Sequence, residues 1–160
     1  MKKRLIFLII ITLMFTLLYG CAGKTYEVVK PSQSADAQSY NITGECKATL
    51  NDNILYVTGT NNIIDNTNGV ITILNSNGSV ADEKKFKLEN GSVEVDFEVK
   101  DDWTDTVYAL IAFSTQQGDK QPRDVTDVYG KKFENMTGEN IIWDLKGVIA
   151  IFQSDVVEIR

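Results

Sequence analysis

The chain has 160 residues, with 16 Lys+Arg against 22 Asp+Glu, two Cys and no His, for a net charge of −6. Lys2, Lys3 and Arg4 precede the first apolar run, so removing residues 1–20 leaves 13 basic against 22 acidic side chains, a net charge of −9. That balance opposes attraction to nucleic acid or to an anionic lipid surface. The missing His excludes Ser–His catalysis and removes the commonest metal ligand. The chain beyond residue 20 fits one domain, since about 100–200 residues per domain is usual.

Met1–Arg4 is a cationic start, and Leu5–Leu18 is apolar apart from Thr12 and Thr16. Such a run matches a signal-peptide core and falls short of the roughly 17–25 residues that span a bilayer. The junction Leu18-Tyr19-Gly20-Cys21 resembles the bacterial lipobox, although Tyr19 is bulkier than the residue usual there. That resemblance implies cleavage before Cys21 and attachment of diacylglycerol to its thiol. An ordinary secreted protein and an uncleaved anchor are the alternatives. One acyl chain holds a protein to a membrane only marginally, so two or three chains on Cys21 would be needed for stable attachment. Cys46 is then the one remaining thiol and no intramolecular disulfide can form. Its neighbours Ala48 and Leu50 alternate with polar residues, which places Cys46 on the inner face of a strand.

Residues 22–40 are polar, rich in Ser, Ala and Gln, and carry Pro31, the composition of a flexible tether. Gly23-Lys24-Thr25 matches the end of a phosphate-binding loop, but the Gly required five positions earlier is Leu18, so the match is discounted. The domain is expected over residues 41–160. Val93, Val95, Phe97 and Val99 alternate with Ser92, Glu94, Asp96 and Glu98, a strand with one dry and one wet face. Asn68-Gly69, Asn77-Gly78 and Asn90-Gly91 are hairpin-turn dipeptides. Strands are predicted near 46–50, 53–60, 69–75, 79–88, 92–99 and 106–115, with one or two more in 147–159. Residues 105–113 are nearly continuous in apolar side chains, as in a central strand buried on both faces. Between 121 and 130, Pro122 at the first helical position, Asp124 in the first turn and the spacing of Val125, Val128 and Tyr129 predict a short helix. The pattern as a whole is all-β, an immunoglobulin-like two-sheet sandwich of about seven strands with one short helix.

Two stretches carry a family resemblance. Gln121-Pro122, Val125, Val128, Gly130 and Gly138 fall in register with the Gln-Pro-x-x-Val-x-x-Val-Ile-Gly-x-x-Gly-x-x-Leu-x-Gly segment of a family of small extracellular β-sandwich domains in Gram-positive bacteria. Gly59-Thr60-Asn61 through Asp65, Thr67 and Gly69 is similar to that family's first hairpin. Ile64 stands where the family has Pro, Tyr129 where it has Ile, Phe133 where it has Gly and Met136 where it has Leu. The resemblance spans residues 55–150 and implies a surface-exposed sandwich with no established catalytic residues.

Chemistry in the sequence is sparse. Asp101, Asp102 and Asp105 surround Trp103 and follow Asp96 and Glu98, but they lack the spacing of a calcium loop. Asp124 and Asp127, on either side of Val125, would project from the predicted helix, where helix-start capping and electrostatics account for Asp124. No metal and no cofactor is expected. Aromatic residues are the better candidates for ligand contact, because sugar rings and protein hot spots both use them. Trp103 leads, since its neighbours are all polar, with Tyr129 and Phe133 beside it. Trp143, between Ile142 and Leu145, and Tyr108 are expected in the core. The expectation is a noncatalytic, lipid-anchored module on the outer face of the cell membrane, partnered by an envelope protein and by the membrane through Cys21. A wall-glycan binding module is one alternative, and a carboxylate-dependent hydrolase or calcium-binding domain is the other.

Overall fold

The computed structural model describes residues 29–144 and 146–160. The signal segment, Cys21 and the first part of the tether lie outside the described residues. Lys30 already touches the domain, donating from Nζ to the Met136 carbonyl at 3.0 Å. None of the helices among the described residues is long and apolar enough to cross a membrane.

The protein is an all-β sandwich. One sheet holds β2 (Gly44–Asn51), β3 (Ile54–Asn61) and β6 (Ser92–Glu98) in the order β2-β3-β6. The other runs β5-β4-β7-β10-β9, from β5 (Val80–Lys87), β4 (Asn68–Asn75), β7 (Thr106–Phe113), β10 (Val148–Gln153) and β9 (Ile141–Trp143). β11 (Val157–Glu158) continues beside the start of β7. Setting aside β9 and β11, the first, second and fifth long strands face the third, fourth, sixth and seventh. That is an immunoglobulin-like distribution in which the fourth strand pairs with the third. A small parallel pair, β1 (Tyr40–Asn41) with β8 (Met136–Thr137), closes the structure at one side.

Alternation decides which face is dry. Val93 and Phe97 of β6 are buried, while Ser92, Glu94, Asp96 and Glu98 are exposed. Leu55, Val57 and Gly59 of β3 pack inward, opposite Val107, Ala109, Ile111 and Phe113 of β7. At Gly59 the sheets leave no room for a side chain, since an added Cβ would collide with Ile111 Cδ1. β7 is central, between β4 and β10, but only its inner face is wholly buried. Tyr108 and Leu110 on its outer face are half-buried, because nothing covers that side of the sheet as fully as the opposing sheet covers the inner one.

Two turns form as expected. Gly78 takes φ 82° between β4 and β5, and Asn90 and Gly91 take φ 53° and 64° between β5 and β6. Asn68-Gly69 is instead the start of β4. Gly69 is there because the rings of Phe86 and Phe113 occupy the space a side chain would need. The hairpin between β2 and β3 turns on Asp52 and Asn53, at φ 47° and 65°, without any glycine. The predicted helix is α1 (Arg123–Tyr129), with Pro122 one place earlier than expected, at the N-cap. Its Val125 and Tyr129 are buried against the end of the sandwich.

Candidate functional site

Aromatic residues occupy positions nearly the reverse of those expected. Trp103 is 2 % exposed and belongs to the core. The loop carrying it is fixed from three sides, which turns the indole inward although its neighbours are polar. Arg160 Nη2 donates to the Asp101 carbonyl at 2.7 Å, Ile159 N–H to the Asp105 carbonyl at 2.9 Å, and Thr104 N–H to Asn75 Oδ1 at 2.9 Å. The indole Nε1–H is buried and has no hydrogen-bond partner among the described residues. Tyr129 and Phe133 are also buried, at 1 % and 0 %. Their rings meet edge to face at 5.8 Å, and Tyr40 closes on Tyr129 at 5.4 Å. The Tyr129 hydroxyl accepts from Ile64 N–H at 2.9 Å, which ties α1 to the loop before β4. Burial raises its pKa above the usual phenol value, against the lowering effect of that hydrogen bond. None of these three side chains is presented to a ligand, because each fills the interior.

Trp143 is 45 % exposed, and Ile142 beside it is 50 % exposed, whereas Ile141 is buried. All three lie on β9, which among the described residues pairs only with β10 and so forms an edge of the larger sheet. The opposite edge strand, β5, carries Asp82, Glu83, Lys84, Lys85 and Lys87, the charged dressing that keeps sheet edges from pairing. β9 has no such charge. Sequence reading missed Ile142 and Trp143 because an apolar neighbourhood reads as core, and a three-residue strand gives too short a pattern to assign faces.

The same end of the larger sheet carries a basic cleft of about 540 Å³, lined by Thr115, Lys120, Gln121, Arg123, Thr126 and Lys131. Topology brings these together. β7 ends next to where β4 and β10 begin, the segment after β7 runs into α1, and Val148 N–H donates to the Lys132 carbonyl at 2.9 Å. Val148 is in turn the register partner of Trp143.

No protein-family model, curated protein or solved structure matches this chain. Its function has to be read from its own geometry.

The acidic clusters and Cys46 lack the geometry of a reactive or metal-binding site. Asp101, Asp102 and Asp105 are exposed, and among the described residues no group of three or more His, Cys, Asp or Glu side chains converges as a metal site would require. Asp124 and Asp127 are exposed on α1, and Asp127 pairs with Arg123 at 3.5 Å. Cys46 is free and 8 % exposed, its thiol directed at the Ala109 carbonyl at 3.8 Å. Burial pushes its pKa up to about 11, the opposite of what a nucleophilic thiol needs.

Proposed function

We propose that the protein is a noncatalytic binding module, held by lipid on Cys21 at the outer face of the cell membrane, that engages an envelope partner through the edge strand β9. The observation that carries this reading is the exposed pair Ile142 and Trp143 on an edge without charge. Exposed Trp at an uncharged edge suits a protein hot spot, where large aromatic side chains contribute most of the binding energy. The resemblance of Leu18–Cys21 to a lipobox, the tether composition after it and the resemblance to Gram-positive extracellular sandwich domains support that location.

Crosslinking and affinity capture from intact cells tests this, with the native chain beside an Ile142→Ser/Trp143→Ser form. A discrete protein adduct should form with the native chain and be lost with the double variant. An adduct pattern indifferent to those substitutions counts against β9 as the contact.

A second reading has one observation in its favour, the placement of Trp143 at the same end as the basic cleft, since an aromatic ring beside polar groups also suits a sugar. Sedimentation with isolated wall separates the two. Retention on wall that Trp143→Ala abolishes would favour a glycan ligand over a protein partner.

A further inference from the structure

We infer that the cleft between Lys120, Arg123 and Lys131 is a binding site for a phosphate group. Three cations line it together with the hydroxyl residues Thr115 and Thr126, and among the described residues no carboxylate lines it. In a chain with 22 acidic against 16 basic residues, that separation of charge is against the average. Two other clefts on the surface differ in this respect. One is lined by Glu89 and Glu94 as well as Lys87, and the other by Glu139.

The backbone under each cation is held in place. Gln121, 6 % exposed, sits between Lys120 and Arg123 and bonds from its side chain to the main chain of Asn68 and Ser114. Asn68 Nδ2 donates to the Lys120 carbonyl at 2.8 Å. Lys131 lies in the turn closed by Phe133 N–H donating to the Gly130 carbonyl at 3.1 Å. Fixed backbone lowers the entropy lost when a ligand is bound.

Nearby carboxylates leave the cations available. Asp119 is engaged by Lys85 at 3.0 Å, and Glu134 accepts from Lys132 N–H at 2.7 Å. Asp127 pairs with Arg123 at 3.5 Å, but both side chains are largely exposed and such a helix pair is weak. Asp124 is exposed on the same helix and lines no part of the cleft. Among the described residues neither Lys120 nor Lys131 has a carboxylate within ion-pair distance. Three cations exceed what one carboxylate can use. A phosphate offers more acceptor oxygens and accepts forked donation from Arg as well as point charge from Lys. The site does not depend on the lipid anchor or on β9.

The test is titration of the full chain in neutral detergent with inorganic phosphate, followed by amide resonances of residues 120–131, at constant ionic strength set by NaCl. Saturable shifts are expected, weakened at least tenfold in Lys120→Ala/Lys131→Ala and unchanged in Lys47→Ala, whose lysine pairs with Glu45 on the other sheet. All three substituted lysines are exposed, and an unaltered thermal midpoint shows that the variants fold. Glycerol phosphate in solution and phosphatidylglycerol in nanodiscs form two further arms. A saturable response to either supports the site and tells a soluble phosphoester from a lipid headgroup. Shifts that NaCl alone reproduces, or that survive in the double variant, overturn the assignment.

Discussion

Gln121 completes the backbone of Asn68: its Oε1 accepts from Asn68 N–H at 3.0 Å while its Nε2 donates to the Asn68 carbonyl at 2.7 Å. The same Nε2 donates to the Ser114 carbonyl at 2.7 Å, so one carboxamide serves the start of β4 and the segment just past β7. It works as an extra rung where the ladder between the two strands ends. Gln121→Leu keeps the volume and leaves those three groups without this partner. An unsatisfied buried group costs about 1–3 kcal/mol and such costs do not simply add. Urea unfolding should show a loss of about 2–3 kcal/mol. A change within the scatter of the measurement would mean that water replaces the carboxamide.

Trp103 separates packing from hydrogen bonding. Its indole nitrogen is buried without a partner among the described residues, so packing of the ring is its main contribution to the fold. Trp103→Ala should cost about 3–5 kcal/mol, as for other large aromatic truncations. Trp103→Phe removes the unpaired N–H along with part of the ring and should recover more than half of that loss. Equal losses in the two variants would show that the N–H is satisfied in solution.

Gly59 leaves no room for a side chain between the two sheets. An added methyl group would meet Ile111 Cδ1 and lie 3.1 Å from the Glu45 carbonyl oxygen and 3.2 Å from Val93 Cγ1. Overpacking of this kind costs about 1–3 kcal/mol. Ile111→Val deletes the atom in the way, so Gly59→Ala should be less damaging in that background than in the native one. Strict additivity in the double-mutant cycle would argue that the strain is set by the Glu45 backbone instead.

Cys46 gives a pH dependence with a definite sign. Its thiol titrates near 9.0 when unfolded and at about 11 when folded, because burial disfavours the thiolate. The neutral thiol therefore stabilises the fold fully below pH 9. As pH rises from 9 toward 11 the unfolded chain loses this proton and the folded chain keeps it, so stability falls by up to about 1.4 kcal/mol per pH unit. Tyr129, also raised by burial, adds its own loss at the alkaline end. Cys46→Ala should flatten the slope near pH 9–10 and leave the Tyr129 part, as read from urea midpoints across that range. A slope unaffected by Cys46→Ala would assign it to other groups.

Long strands were legible in the sequence from alternating faces at Val93–Val99 and from runs of β-forming residues bounded by turn signals, as in those that became β3, β4 and β7. The helix was legible from Pro122, Asp124 and the spacing of Val125 and Tyr129. β1, β8 and β9 were not, since two or three residues carry no period. Phe133 shows how tertiary packing overrides local preference. It holds φ 58°, a conformation that favours Gly, at the position where the resembled family has Gly, and its ring is wholly buried. Contact residues were the least legible. Trp103 has charged neighbours, which suggests exposure, yet loop hydrogen bonds turn it inward. Trp143 has apolar neighbours, which suggests burial, yet an edge strand leaves it outside. The basic cleft joins residues from 115 to 131 around the end of a sheet, and no local spacing announces that.

Placement of the domain at the envelope is the claim on which its binding role depends, and the most direct measurement is mass spectrometry of the N-terminal peptide of the protein purified from cells. The account predicts a chain beginning at Cys21, with its thiol carrying diacylglycerol, and release of the Cys21→Ser form from the membrane fraction. An unmodified Cys21 in a chain that still carries residues 5–18, or a Cys21→Ser form that stays with the membrane, would contradict it.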